Sequence, residues 1–217
     1  MDESVILHAE RSFLVCRKPV GVECEHELPA LLAEEMKCKA DSLYCIHRLD
    51  RAVGGVMVWA RTPKAAAELS RQVQEKALKK AYFAVCSGSP TPDTGEMRDL
   101  LFKDSVKQKS FAVSSSRRGV KEALLDYRVL QTDVLNDSPA ALVRVTLRTG
   151  RFHQIRCQFA TRGHPLLGDG KYGSRERGCT TALWSCRLAF FHPETHAPLV
   201  FEAAPPRIFP WDRFPWN

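Results

Sequence analysis

The stretch from Tyr44 to Arg61 constrains the fold more than any other part of the 217-residue chain. An apolar start leads into His47-Arg48-Leu49-Asp50-Arg51, and two glycines then precede a second apolar run. Short runs of this kind, bounded by glycine and charged residues, predict a strand, a charged loop and a strand. Asp50 lies between two arginines, and a nearby opposite charge favours the ionised carboxylate. We therefore predict that Asp50 is charged at neutral pH and can act as a nucleophile or a base.

One aspartate between arginines is not enough to indicate a catalytic site. Taken alone, such a group more often forms an ion pair with a neighbouring strand. A second polar stretch, Arg148-Thr149-Gly150-Arg151-Phe152-His153-Gln154-Ile155-Arg156, follows about a hundred residues later and leads into a predicted amphipathic helix. Two such stretches favour a functional site over an isolated ion pair.

Together with Lys80-Ala81-Tyr82, these stretches resemble the RluA-type pseudouridine synthases, which isomerise uridine to pseudouridine in RNA. The first is similar to the family's His-Arg-Leu-Asp motif, which implies that Asp50 is catalytic and that Arg48 displaces the target nucleotide. The second is similar to the Thr-Gly-Arg-x-His-Gln-Ile-Arg motif, whose last arginine, here Arg156, pairs with the catalytic aspartate. In the Lys-x-Tyr motif the tyrosine, here Tyr82, stacks on the target base.

The resemblance implies two sets of site residues within these motifs. The expected catalytic residues are Asp50, Arg156 and Tyr82. The expected RNA-binding residues are Arg48, Arg51, Lys80, Arg151, His153 and Gln154. For Tyr82 the alternative is an aromatic residue of a strand core. Asp50 either attacks the uridine covalently or removes a ribose proton as the glycosidic bond breaks, and both routes stay open.

The similarity extends from Lys18-Pro19-Val20-Gly21 to Phe191-His192-Pro193, with two departures. Val53-Gly54-Gly55 replaces the family's Thr-Ser-Gly, and Gln158 replaces a frequent histidine. The loss of two hydroxyls beside the first motif can change rate or substrate choice. The early position of Lys18 predicts a single catalytic domain over residues 1–217, without an N-terminal S4 domain.

The charge of the chain agrees with an RNA partner. A formal net charge of +7 and a sequence pI near 9.1 favour a polyanion, because lysine and arginine release condensed counterions from nucleic acid. Many soluble proteins are mildly basic without binding RNA, so charge supports the motifs without replacing them. We expect tRNA or rRNA as the substrate, no DNA partner and a monomeric protein.

Eight cysteines without a Cys-x-x-Cys pair predict reduced thiols in a cytoplasmic protein. His153 and Cys157 are four residues apart on a predicted helix, but no second pair at zinc-ligand spacing accompanies them. Neither a metal nor an organic cofactor is expected. The N-terminus lacks a basic start and a long apolar run, so no signal peptide or membrane span is predicted.

The pattern of short strands predicts a mixed α/β (α+β) fold, with a largely antiparallel, bent sheet and flanking helices, as the resemblance also implies. We predict a first helix from Pro29 to about Lys39, with an apolar stripe of Leu31, Leu32 and Met36. Two more helices are predicted, from Thr62-Pro63 to Glu75 or Lys76 and from His153 to Arg162. Residues 100–102 and 111–113 are predicted edge strands, and residues 168–173 a flexible turn.

The predicted function is that of an RNA pseudouridine synthase, an isomerase that depends on an aspartate. The alternative is an RNA-binding protein that keeps the scaffold and has lost turnover. Val53 and Gly54 favour this alternative, whereas the intact Asp50, Tyr82 and Arg156 favour the enzyme. A basic structural protein would leave the ordered motifs unexplained.

Overall fold

A computed structural model describes residues 4–215 of the chain. Within that range it contains eleven strands and three α-helices. The strands are β1 (Ile6–Ala9), β2 (Phe13–Lys18), β3 (Tyr44–Cys45), β4 (Gly54–Ala60), β5 (Lys79–Ser87), β6 (Thr94–Asp104), β7 (Lys109–Val113), β8 (Val120–Leu135), β9 (Ser138–Leu147), β10 (Leu183–Phe191) and β11 (Pro198–Glu202). The helices are α1 (Glu27–Met36), α2 (Pro63–Gln74) and α3 (Gln154–Thr161). This α+β composition is the predicted fold class.

The chain forms two compact units. The first contains Met1–Lys80 and Trp184–Pro205, and the second contains Ala81–Leu183 and Pro206–Asn217. The single domain over residues 1–217 stays a prediction.

Strand β4 is the centre of the first unit. It pairs antiparallel with β2 and β3, and its first residues pair parallel with β10, where Trp184 lies opposite Gly54. All seven residues of β4 are buried, so its apolar run has no wet face. Its side chains Val56 and Val58 belong to a core cluster with Phe13 and Leu188. The strand that follows the Asp50 loop is therefore fixed on both edges.

The two helices of the first unit differ in how well the sequence predicts them. Helix α2 begins as predicted, because the Thr62 hydroxyl accepts the Ala65 N–H at 3.2 Å and Pro63 is its first residue. Helix α1 begins at Glu27, so the predicted start at Pro29 is wrong. The Glu27 carboxylate accepts the Glu23 N–H at 2.8 Å, and this contact accompanies a helix start two residues before Pro29.

The predicted end of α1 is also wrong, and its predicted apolar face is only partly confirmed. Lys37 adopts a left-handed conformation with φ 51° and ends the helix before Lys39. Of the predicted stripe, Leu32 is buried, Met36 is half-buried and Leu31 is exposed. Leu28, Pro29 and Ala33 complete the buried face. The buried face therefore begins one residue before the predicted start at Pro29.

Strand β8 is the centre of the second unit. It pairs antiparallel with β6 and β9, and β6 also pairs with β7. The segment 100–102 is thus part of an internal strand, which corrects its prediction as an edge. The β8–β9 hairpin turns through Asn136 and Asp137, with φ 48° and 58°.

The last parts of the second unit mostly follow the sequence pattern. Helix α3 is one residue shorter at each end than predicted, and Gly163 follows it with φ 81°. The C-terminal Trp211 and Phe214 are buried, and Gln131 donates to the carbonyl of Pro215 at 3.0 Å. No helix within residues 4–215 is long and apolar enough to cross a membrane.

Candidate active site

Asp50 lies in the loop between β3 and β4 of the first unit and is partly buried. The residue before it, Leu49, is buried, and its carbonyl accepts the Cys24 thiol at 3.2 Å. The Asp50 carbonyl accepts the Val53 N–H at 2.9 Å, which closes a turn directly after the carboxylate. Neighbouring backbone contacts thus fix the loop on both sides of Asp50.

Lys18 binds the backbone next to the same loop. Its side chain is fully buried, and its ammonium donates to the carbonyls of Pro19, Val22 and Arg51 at 2.9, 2.7 and 3.3 Å. Burial lowers the pKa of Lys18, and the charge of Asp50 acts in the opposite direction. Lys18 is therefore a cation within electrostatic reach of Asp50, a role that sequence analysis did not assign to it.

The two arginines that flank Asp50 form ion pairs with glutamates. Arg48 pairs with Glu25, and Arg51 pairs with Glu27 at 2.9 Å. Both arginines are largely exposed, with 64% and 66% of their side-chain surface accessible. The sequence argument assigned these arginines as charge partners of Asp50, whereas these two ion pairs are with Glu25, just before α1, and with Glu27, the first residue of α1.

His47 is buried, and Lys80, which is half-buried, lies within electrostatic reach of it. The Nε2 atom of His47 accepts the Val58 N–H at 3.3 Å, and its Nδ1 atom has no hydrogen-bond partner among the described residues. Burial, followed by the charge of Lys80, lowers the pKa of His47 well below its usual value of 6.5. Burial lowers the pKa of Lys80 to about 8. Neutral His47 is thus part of the scaffold.

Gly54 and Gly55, predicted to lie in the loop, are the first two residues of β4. A Cβ atom on Gly55 would lie 2.2 Å from the carbonyl oxygen of Ser185, and its φ is 120°. Glycine is therefore required here by the close approach of β10.

In the second unit, Tyr82 lies on β5 and is 5% exposed. This burial is what the alternative interpretation, an aromatic residue of a strand core, predicts. Stacking on a base requires the ring to be uncovered. Its role in base stacking stays a prediction.

Gln154, the first residue of α3, organises the loop that precedes the helix. Its Oε1 atom accepts the Thr149 hydroxyl at 2.8 Å and the Arg151 N–H at 3.0 Å, and its Nε2 atom donates to the Leu124 carbonyl at 3.1 Å. Arg151 itself donates through Nε to the carbonyl of Glu122 at 2.8 Å. Gln154 is buried, so these contacts define a capping role, and its RNA contact stays a prediction.

Arg156 is buried on α3 and binds a carboxylate that sequence analysis did not associate with it. Its Nε and Nη2 atoms donate to Asp169 Oδ2 and Oδ1 at 2.7 and 2.8 Å. The Tyr172 ring lies 5.2 Å from the Arg156 guanidinium carbon. The predicted flexible turn at 168–173 is thus the segment that contacts the predicted catalytic arginine.

His153 connects to the same segment. It has a left-handed backbone with φ 50°, stacks on Phe152 at a centroid distance of 3.8 Å, and its Nδ1 atom lies 3.1 Å from the Tyr172 hydroxyl. Burial raises the pKa of Tyr172, so the phenol stays protonated. Tyr172 and Asp169 therefore join Arg156 and His153, two of the predicted site residues.

Local sequence gave no signal for these partners. Asp169 lies 13 residues beyond Arg156, past the end of α3, so helical periodicity cannot connect the two. The sequence also offered His153 and Cys157 as possible metal ligands. Among residues 4–215 no group of three or more histidine, cysteine or acidic side chains has a geometry that could hold a metal ion.

The comparisons with known proteins agree with the motifs. A model of the RNA pseudouridylate synthase family matches residues 12–161, a range that contains Asp50, Tyr82 and Arg156. An "uncharacterized RNA pseudouridine synthase" of Aquifex aeolicus is 36% identical over 174 residues, which cover 76% of this chain and 54% of that protein. Ribosomal large subunit pseudouridine synthase D of Zymomonas mobilis is 32% identical over 172 residues, covering 75% and 52%. The chain spans about half the length of these curated relatives.

Solved structures share the fold. Human RNA pseudouridylate synthase domain containing 1 aligns with a TM-score of 0.82 and 25% identity, covering 96% of this chain and 87% of that one. Human RNA pseudouridylate synthase domain containing 4 aligns with a TM-score of 0.74 and 24% identity, covering 93% and 88%.

Proposed function

Because this chain belongs to the RNA pseudouridylate synthase family, we propose that it isomerises uridine to pseudouridine in RNA. The observation that carries the proposal is the family match over residues 12–161, which includes the complete His-Arg-Leu-Asp motif with Asp50. The relatives are named as synthases, which favours an enzyme over an RNA-binding protein without turnover.

The substrate is proposed to be a uridine in rRNA or tRNA. The name of the Zymomonas relative refers to the large ribosomal subunit, which favours rRNA. The target base must leave its stack before the reaction, which costs a few kcal/mol in a duplex and less in a loop. We therefore favour uridines in loops or single strands, with the basic side chains of the motifs contacting the RNA backbone.

Each catalytic residue has a distinct role in this proposal. Asp50 acts on the target nucleotide, by attack on the base or by removal of a ribose proton. Arg156 has the role that the family resemblance assigns to it, which is to keep the catalytic aspartate ionised and oriented. Tyr82 stacks on the extruded base. The N1–C1′ glycosidic bond breaks, and the base rotates and rejoins the ribose through carbon 5. The proton on carbon 5 is released, and the freed N1 takes up a proton.

Tritium release from RNA labelled at uridine carbon 5 tests the activity, because only formation of the new carbon–carbon bond exchanges that hydrogen. We expect release with the wild-type protein and none above background with Asp50→Asn. Asp41→Asn is the matched control, since Asp41 is an exposed aspartate of the same unit outside the motif. RNA binding by all three proteins without release would overturn the synthase proposal.

Cellular location and assembly are separate proposals. The eight cysteines are all free thiols, which supports a reducing compartment such as the cytoplasm. We also propose that the protein acts as a monomer, and sedimentation with and without RNA would test this.

A further inference from the structure

Asp169 binds one edge of the Arg156 guanidinium. The two hydrogen bonds join Nε to Oδ2 and Nη2 to Oδ1, and the exposed fractions of the two side chains are 7% and 1%. Two parallel N–H···O bonds fix both the position and the plane of a guanidinium. The Nη1 group takes no part in this pair.

The turn that carries Asp169 is itself fixed. The Asp169 carbonyl accepts the N–H groups of Tyr172 and Ser174 at 3.0 and 3.1 Å. Gly168 has φ 72°, and a Cβ atom there would lie 2.3 Å from the carbonyl oxygen of Thr180. Because Gly168 packs directly against this backbone, the carboxylate of Asp169 has a defined position.

Tyr172 contacts the face of the same guanidinium. Its ring centroid is 5.2 Å from the Arg156 guanidinium carbon, and its hydroxyl accepts the Ser110 N–H at 2.8 Å. The hydroxyl also contacts His153. The turn at 168–173 therefore contacts Arg156 at an edge and at a face, while its tyrosine is anchored to β7.

We propose that Asp169 is a positioning residue for Arg156 and that Tyr172 supports the same arrangement. The inference rests on the proposed function, in which Arg156 acts in the reaction. A buried ion pair is weak evidence for stability, because a well-packed apolar pair of similar volume is often at least as stable. Its presence at the predicted catalytic arginine is explained by a requirement for a defined guanidinium orientation.

The kinetics of an Asp169→Asn variant test the proposal. Asp169→Asn keeps the size of the side chain, removes its negative charge and loses one acceptor of the pair. Arg156 is then held less firmly in position. We expect kcat to fall about tenfold or more while KM changes less than about threefold.

A second ion pair on the same helix provides a matched control. Arg162 follows α3 and donates to Asp99 at 2.8 Å, in a more exposed position. Asp99→Asn removes a carboxylate from an arginine without touching Arg156, and it should leave kcat and KM close to the wild-type values. Both variants are compared with the wild-type protein on the RNA that the tritium assay identifies, with the folded fraction measured by circular dichroism.

The outcomes separate this inference from the proposed function. Wild-type protein without tritium release would overturn the proposed function and this inference with it. An Asp169→Asn protein that loses rate only in proportion to its folded fraction would overturn the positioning role alone. If Asp169→Asn does not fold, Asp169→Glu is measured instead, because it keeps the negative charge of the side chain. A folded Asp169→Glu protein with wild-type kcat would contradict the proposal, and a reduced kcat at unchanged KM would support it.

Discussion

Gly54 lies against the indole ring of Trp184, so that a Cβ atom on Gly54 would be 2.4 Å from the ring carbon Cζ3. The two residues are opposite each other in the parallel pairing of β4 with β10. The family's Thr-Ser-Gly sequence has a serine where this chain has Gly54. Trp184 occupies the space that a serine side chain would need, which gives a steric reason for the departure from the motif.

Gly54→Ser should destabilise the first unit by about 1–3 kcal/mol, because the new side chain overlaps Trp184. In a Trp184→Leu background the same substitution should cost less by about 1 kcal/mol. Urea unfolding of the four proteins measures this coupling. Gly150→Ser is the control, since nothing lies within 4 Å of its added Cβ. Equal costs of Gly54→Ser in both backgrounds would contradict the steric explanation.

Removal of the glutamates that pair with Arg48 and Arg51 should strengthen RNA binding. In the free protein RNA phosphates must compete with Glu25 and Glu27 for these exposed arginines. Exposed ion pairs contribute about 0–1 kcal/mol each, so the double variant Glu25→Gln, Glu27→Gln should bind RNA roughly two- to tenfold more tightly at low salt. Filter binding at several salt concentrations measures the effect.

The matched control for this prediction changes the net charge by the same amount elsewhere. Glu75 and Glu202 are exposed partners of Arg71 and Arg187 on other elements of the same unit. If Glu75→Gln, Glu202→Gln tightens RNA binding equally, the gain reflects net charge and not the release of the motif arginines.

Lys80 should make stability depend on pH on the alkaline side. Burial lowers its pKa in the folded protein to about 8 from the usual 10.5. Between these values the unfolded chain binds more protons than the folded one, so the free energy of unfolding rises with pH across that window. Lys80→Met should remove this rise and be more stable at about pH 7, by roughly 1–3 kcal/mol. Urea unfolding at about pH 7, 8.5 and 10 tests both, with exposed Lys79→Met as the control.

Gln154→Ala should lower the free energy of unfolding by about 1–3 kcal/mol. The substitution leaves the Arg151 N–H and the Leu124 carbonyl without the Gln154 amide in a partly buried loop. Thermal unfolding measures the loss, and Gln74→Ala at the exposed end of α2 provides the comparison. RNA binding at a temperature where both variants are folded then tests the predicted RNA contact separately. A Gln154→Ala protein as stable as Gln74→Ala would exclude the capping role.

Local chemistry explains which parts of the fold were predictable. Thr62 and Pro63 carry a complete helix start, so α2 was placed correctly. The start of α1 depends on a Glu27 contact with the backbone of Glu23, which composition does not reveal. The short apolar segment 100–102 was predicted to be an edge strand. Its place inside the sheet could not be predicted, because strand order depends on partners distant in sequence.

The candidate site also contains residues that could be predicted and residues that could not. Asp50 and Arg156 could be predicted as site residues because each lies within a contiguous motif. The contacts of Lys18 with the Arg51 carbonyl and of Asp169 with Arg156 could not be predicted, since each joins separate segments of the chain. Gly55 was predicted to lie in the loop, whereas the approach of Ser185 from β10 makes it a strand residue.

The first unit is built from two segments that lie far apart in the chain, so it cannot close early during synthesis. Strand β4 pairs with β10, which lies about 130 residues later in the chain. At ordinary rates of translation the ribosome needs roughly 7–26 s to make that length of chain. During this interval the backbone groups of Gly54 and Gly55 lack their native partner and form an open strand edge, a surface that chaperones bind and that promotes aggregation. The segment Ala81–Leu183, which makes up most of the second unit, is therefore synthesised in full before the first unit can close.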